Sequence, residues 1–135
     1  MALIQLKQAR LEVRQIAAPQ GRGYKAPLVF LHEGLGSVAM WRSRSLDWPL
    51  ALCHATGRAG LSYSRRGYGQ SEPIPDVRGA GRLGPDYMHR EAWDVLPKLL
   101  LSHGIEQPVL IGHSDGATIA LLYAAKHHTQ ATVAM

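Results

Sequence analysis

The sequence holds one cysteine, Cys53, so it can form neither an internal disulfide nor a cysteine-built metal cluster. The apolar residues around Cys53 read it as a buried packing side chain. Long hydrophobic runs are also missing. None approaches the roughly 20 residues needed to span a bilayer, which excludes a transmembrane helix. The first residues set Lys7, Arg10 and Arg14 among short apolar pieces and contain no signal-peptide core, so a cytoplasmic location is expected. Acidic residues are scarce, ten against fifteen Lys and Arg, for a formal charge of +5. The arginines are scattered and not interleaved with aromatics, which points to solubility rather than nucleic-acid binding. Seven histidines include no helical pair with a carboxylate partner, so no metal site is expected. Adjacent His127 and His128 read as solvated residues at the end of a helix.

What is present suits one soluble globular domain of 135 residues, 46% hydrophobic and 19% charged. Ile4 to Lys7 can begin a strand, and Leu11 to Ala17 alternates like a half-buried one. A turn follows at Gly21-Arg22-Gly23. Pro27 to Leu31 is continuously apolar, as in a strand covered on both faces of a parallel sheet. A loop from His32 to Ser37 leads into broken helix. Asp47 can cap its second piece, with Trp48-Pro49 in the first turn and Gly57 and Gly60 ending it. Leu61 to Ser64 reads as a short strand, and Arg65 to Gly84 as a long loop. Asp86 is placed to N-cap a helix whose apolar face is Met88, Ala92, Val95, Leu96, Leu99 and Leu100. Pro97 should kink that helix and Gly104 stop it. Val109 to Ile111 is the next strand. Ala117 to Ala125 is apolar nearly all round, which predicts a deeply buried helix. Thr132 to Met135 looks like the start of another strand. Strands alternating with helices predict an α/β fold with a mostly parallel central sheet.

The stretch with most chemical content is Gly112-His113-Ser114-Asp115-Gly116. It follows the Val109–Ile111 strand and opens a helix. A serine becomes a useful nucleophile once it is exposed, oriented and paired with a base. A strand turning sharply into a helix meets the first two needs, and the flanking small residues permit the bend. Backbone N–H donors must then receive the negative charge that builds on a substrate oxygen. The N–H of Asp115 is one candidate, and the glycine-containing His32–Ser37 loop offers others.

Three segments in order, "LVFLHEGLGS", "SRRGYGQS" and "VLIGHSDGA", resemble the first half of an α/β-hydrolase, from about Leu11 onward. The resemblance implies an α/β-hydrolase-type sheet truncated after the elbow helix, a single partial domain over residues 1–135. It implies Ser114 as nucleophile of a serine hydrolase that cleaves a carboxylic ester or related acyl substrate through an acyl-enzyme. It implies an oxyanion hole from the N–H of Asp115 and that of Gly34 or Leu35. Either is possible, because Glu33 stands where many members have glycine. His32 and His113 are expected at the substrate-pocket wall. Ser64 stands where the family's D-x-R-G-x-G-x-S turn has a structural aspartate, which bears on how that loop is anchored. A serine in the elbow disfavours the dehalogenase and epoxide hydrolase branches, which use aspartate there. No metal or organic cofactor is implied. The expected partners are a small acyl substrate, neither nucleic acid nor membrane, and either a second copy of the chain or a complementing C-terminal half.

The triad's acid and histidine are not evident. No Asp or Glu follows Asp115, and His127 and His128 lie about 13 residues along the helix, roughly 20 Å away. The Val109–Ile111 strand, mid-sheet in the family, is then expected as an unpaired apolar edge. Two other readings compete. Gly34-Leu35-Gly36-Ser37-Val38-Ala39 fits G-x-G-x-x-A, and Arg65-Arg66 could take a 2′-phosphate, as in an NADP-binding Rossmann-like module. A non-catalytic binding protein on the hydrolase fold is the other.

Overall fold

The computed structural model describes residues 2–19, 25–75, 83–127 and 132–134. The Gly21–Gly23 turn, His128 and residues 76–82 of the long loop fall outside that range. The main sheet contains β1 (Ala2–Gln5), β2 (Arg10–Ile16), β3 (Leu28–Leu31), β6 (Gly60–Tyr63), β7 (Val109–Gly112) and β8 (Thr132–Ala134). A two-stranded ribbon, β4 (Arg42–Ser43) and β5 (Leu46–Asp47), precedes helix α1 (Trp48–Thr56). The order across the sheet is β1-β2-β6-β3-β7-β8. Pairing is antiparallel from β1 to β6 and parallel from β6 through β8. The architecture is therefore an α/β fold with a mixed sheet, parallel in the half that matters most here.

Alternation along the buried strands builds two layers. Val29, Leu31, Leu61, Tyr63 and Leu110 face one side, where Leu96, Leu99, Leu100, Ile119 and Tyr123 of the later helices cover them. Leu28 and Phe30 face the other side with Ile16 and Cys53, and Trp41 and Leu52 pack against them. Asp47 caps α1 by accepting from the Leu50 N–H at 3.3 Å. The same carboxylate takes a bidentate pair from Arg14 at 3.0 and 2.6 Å, which ties α1 to β2 and holds the acid below its usual range. Gly57 closes α1 in the left-handed region, at φ 69°.

Several sequence expectations change. Gly60 does not end a helix; it opens β6 and is buried against Cys53. Asp86 precedes its helix without a side-chain cap and pairs with Arg90 instead, at 2.8 Å. The helix does not kink simply at Pro97. Helix α2 (Tyr87–Arg90) widens into a π turn over Glu91–Val95 before α3 (Leu96–Ser102). The wider turn makes room where the proline ring would crowd a carbonyl four residues back. Helix α4 (Asp115–Lys126) is buried along one face only: Ile119, Ala120 and Tyr123 are covered, whereas Leu121 is half exposed. The β7 strand is not an edge, because β8 pairs with it in parallel.

The tight contact at Gly60 gives a direct test. A Cβ there would lie 2.5 Å from the Cys53 sulfur. Gly60→Ala is expected to cost about 1–3 kcal/mol in urea unfolding. Adding Cys53→Ala should recover much of that loss. Strictly additive costs would place the clash elsewhere.

Candidate active site

Register brings three distant loops to one edge. Leu31 of β3 pairs with Tyr63 of β6 on one side and with Gly112 of β7 on the other. The loops that follow, 32–37, 64–71 and 113–114, therefore leave the sheet together at its carboxyl end. The chain passes from β3 to a neighbour on one side and later to a neighbour on the other. Open α/β sheets place ligand crevices at such a reversal.

Ser114 sits between β7 and α4 at φ 55° and ψ −115°, a conformation most side chains avoid, and it is exposed. Glycines make the turn possible by removing bulk rather than by adopting positive φ themselves. A Cβ on Gly116 would run into the Leu31 carbonyl, and one on Gly112 would meet the Gly116 backbone. The elbow is also pinned by the His113 N–H, which donates to the Leu31 carbonyl at 3.1 Å. The N–H groups of Gly116, Ala117 and Thr118 are engaged by the carbonyls of His113 and Ser114. Among the described residues, that of Asp115 is free at the positive end of the α4 dipole.

Loop 32–37 runs against this helix start: a Cβ on Gly34 would lie 2.9 Å from Asp115 Oδ2. The Glu33 carbonyl accepts from His32 Nδ1 at 2.6 Å, from Arg65 at 3.0 Å and from the Gly36 N–H at 3.2 Å. A trans peptide points its C=O and N–H in opposite directions. The Gly34 N–H therefore points away from these donors. Among the described residues neither Gly34 nor Leu35 donates from its N–H. The Leu35 side chain is 92% exposed.

His32 is not at a pocket wall. Its ring is fully buried. Its Nε2 accepts the Arg65 N–H at 2.9 Å, so the ring proton resides on Nδ1 and donates to the Glu33 carbonyl. Burial first, then the nearby Arg65 charge, lowers its pKa to about 4. His32 is a neutral brace inside the loop. His113 is exposed, with Nδ1 3.6 Å from a Glu33 carboxylate oxygen. It lines a shallow apolar cavity of about 270 Å³ with Trp41, Trp48 and Leu52, on the α1 side of the sheet. A larger cavity of about 770 Å³ opens among Pro27, Gly60 and Gly104, at the amino ends of the strands, and none of the three loops reaches it.

From the sequence, Arg65 entered only as a 2′-phosphate ligand of the rival reading, and its part in bracing loop 32–37 was missed. It is 5% exposed, and its guanidinium donates to the carbonyls of His32 at 2.7 Å and Glu33 at 3.0 Å. It lies over the Tyr68 ring, which also meets the His32 ring in a T-shaped contact. The Asp115 carboxylate accepts from Tyr87 Oη at 2.8 Å and lies 3.9 Å from Arg65. Beneath them Tyr63 Oη donates to Glu91 at 2.8 Å, and burial pushes the Glu91 carboxyl up.

The dinucleotide alternative fails on this geometry. Only a four-residue 3₁₀ turn, Val38–Trp41, follows Gly34-Leu35-Gly36, where a phosphate-binding helix is needed. Arg65 is committed to carbonyls, and Arg66 pairs with Glu72 at 3.2 Å. Among the described residues no group of three or more His, Cys, Asp or Glu could hold a metal, and no helix is long and apolar enough to cross a membrane.

The state of His32 sets a pH dependence. Its folded pKa lies below the ordinary 6.5, so the unfolded chain binds the extra proton. The stability it contributes is complete above pH 6.5 and is lost as pH falls toward 4, by roughly 3 kcal/mol. Denaturant midpoints between pH 7 and 4.5 should fall more steeply in the parent than in His32→Gln. Equal slopes would show that the ring is not the source.

The family profile described as alpha/beta hydrolase fold matches residues 26–135. Among solved structures the chain is similar to an epoxide hydrolase mutant of Vigna radiata, at 21% identity and TM-score 0.72. It is also similar to Est816, described as an N-acyl homoserine lactone degrading enzyme, at 18% and 0.65. A proline iminopeptidase of Mycobacterium smegmatis matches at 22% and 0.73. Each match covers 96% of this chain, which spans only 35%, 42% and 40% of those chains respectively. With an elbow, a braced loop and a mixed sheet whose β6, β3, β7 and β8 run parallel, the chain belongs to the alpha/beta hydrolase fold family.

Proposed function

We propose that this chain carries the nucleophile and oxyanion-binding half of a serine hydrolase. The observation that carries the reading is Ser114, exposed at positive φ on the strand-to-helix turn, beside an N–H of Asp115 that has no partner among the described residues. Ser114 Oγ attacks the carbonyl carbon of an ester while its proton passes to a base. The carbonyl π electrons move onto oxygen, and the N–H groups of Asp115 and Gly34 receive that charge. The orientation of the 33–34 peptide favours Gly34 over Leu35 as second donor. The intermediate collapses to an acyl-enzyme and an alcohol, which takes the proton. Water, deprotonated by the same base, then attacks the acyl carbon; the acid leaves as the base returns the proton to Ser114 Oγ. Each well-placed oxyanion donor lowers the barrier by roughly 3–4 kcal/mol.

Neither His32 nor His113 fills the base's role here. His32 is buried and tautomerically committed, and His113 faces Glu33. The reading therefore takes the histidine and acid from outside these 135 residues. The neighbours span epoxide, lactone and iminopeptide chemistry. A serine at the elbow favours the acyl substrates, with esters first and lactones and amides next. A binding protein on the same fold is the alternative, and labelling separates the two.

In the protein that supplies the base, Ser114→Ala should lower turnover of short p-nitrophenyl esters at least ~10³-fold and abolish fluorophosphonate labelling, with the fold unchanged by circular dichroism. Undiminished turnover would sink the assignment, and a folded parent that neither labels nor turns over would favour the binding protein.

Gly116→Ala, which drives a methyl into the Leu31 carbonyl, should destabilise by about 2–3 kcal/mol and abolish labelling although Ser114 remains. Normal labelling in that variant would mean the elbow tolerates a looser seat.

A further inference from the structure

The 64–71 turn is built around a carboxylate that does not belong to it. Glu12, on β2, is 7% exposed. Its Oε1 accepts the Ser64 hydroxyl at 2.7 Å and the Gln70 N–H at 3.2 Å. Its own N–H donates to Ser71 Oγ at 2.8 Å, and Ser71 Oγ donates to the Ser64 carbonyl. Gly69, at φ 52°, folds so closely over Glu12 Oε1 and Ser64 Oγ that a Cβ would strike both. The Ser64 hydroxyl gives its only proton to the carboxylate, so its lone pairs face outward. One accepts the N–H of Val38 at 2.8 Å, the residue just after loop 32–37. The next residue is Arg65, which grips the His32 and Glu33 carbonyls.

We propose that Glu12 is the positioning residue for loop 32–37. Its carboxylate, brought in from β2 and relayed through Ser64 to Val38, does the anchoring that an aspartate at position 64 would do directly. The two arrangements exclude each other, because two carboxylates in this dry space repel and share too few donors. Glu12 and Ser64 are thus a matched pair: the acid sits on the neighbouring strand, and the hydroxyl in the turn relays it to Val38. The catalytic consequence rests on the Ser114 reading, whereas the anchoring does not.

The test is a double-mutant cycle read by hydrogen exchange at single amides and by thermal melting of the full chain. Glu12→Ala should speed exchange at Val38 and Gln70 about ten- to a hundredfold and lower the melting temperature. Ser64→Asp alone should also lower it, by setting a second carboxylate against the first. Combined, Glu12→Ala and Ser64→Asp should restore protection at Val38 and a melting temperature above either single variant. Simple additivity, or unchanged exchange at Val38 in Glu12→Ala, would overturn the proposal. If Glu12→Ala does not fold, Glu12→Gln keeps the shape but only a neutral acceptor. Exchange at Val38 and Gln70 should then rise severalfold, since bonds to an ionised oxygen are the stronger ones. No change in the glutamine variant would equally overturn it. None of these readouts involves Ser114, so they stand apart from the outcome of the labelling experiment.

Discussion

The elbow rests on the end of β3. Gly116 lies so close to the Leu31 carbonyl that no side chain fits between them, and the His113 N–H closes the contact with a hydrogen bond to the same carbonyl. This one approach fixes where Ser114 stands, how α4 leaves the sheet and where its first N–H lies. Packed interiors give little when crowded, so the position of the serine is tied to the strand rather than to a loop. The positive φ of Ser114 costs of order 1–3 kcal/mol, and the surrounding packing over-determines it.

Polar groups under the site reinforce that geometry. Carbonyls at the end of a buried strand need donors. Arg65 supplies them from an adjacent loop, and the neutral His32 ring joins the two loops by accepting from one and donating to the other. Because the Glu33 carbonyl is held from three sides, the N–H of the same peptide, that of Gly34, points the opposite way, and among the described residues it donates to no partner. A protonated His32 would lose its acceptor nitrogen and face the Arg65 charge, so the brace depends on the ring staying neutral.

The balance of charge inside is deliberate in the physical sense that each buried ion has named partners. Glu12 accepts from a hydroxyl and an amide, and Arg65 spans carbonyls and the Tyr68 face with Asp115 at 3.9 Å. Satisfied networks of this kind rigidify a loop, while a single missing member leaves a costly orphan. Such rigidity holds the 32–37 backbone in one place against the start of α4.

Much of this was legible in the order of residues. Continuous apolar strands, helical spacing at Leu96, Leu99 and Leu100, and the small residues around Ser114 follow from local periodicity and sterics, and they determined the α/β class and the elbow. The exposed half of α4 was not legible, since composition records that a helix is apolar but not how many neighbours cover it. Nor were the pairing of β7 with β8, the burial of His32 or the roles of Arg65 and Glu12. Those depend on register between strands far apart in the chain, which sets Leu31, Tyr63 and Gly112 side by side. An isolated stretch cannot tell a solvated arginine from one clamped on carbonyls. Only the meeting of three loops at one sheet edge decides it, because the partners are brought by tertiary contact and not by neighbours in sequence.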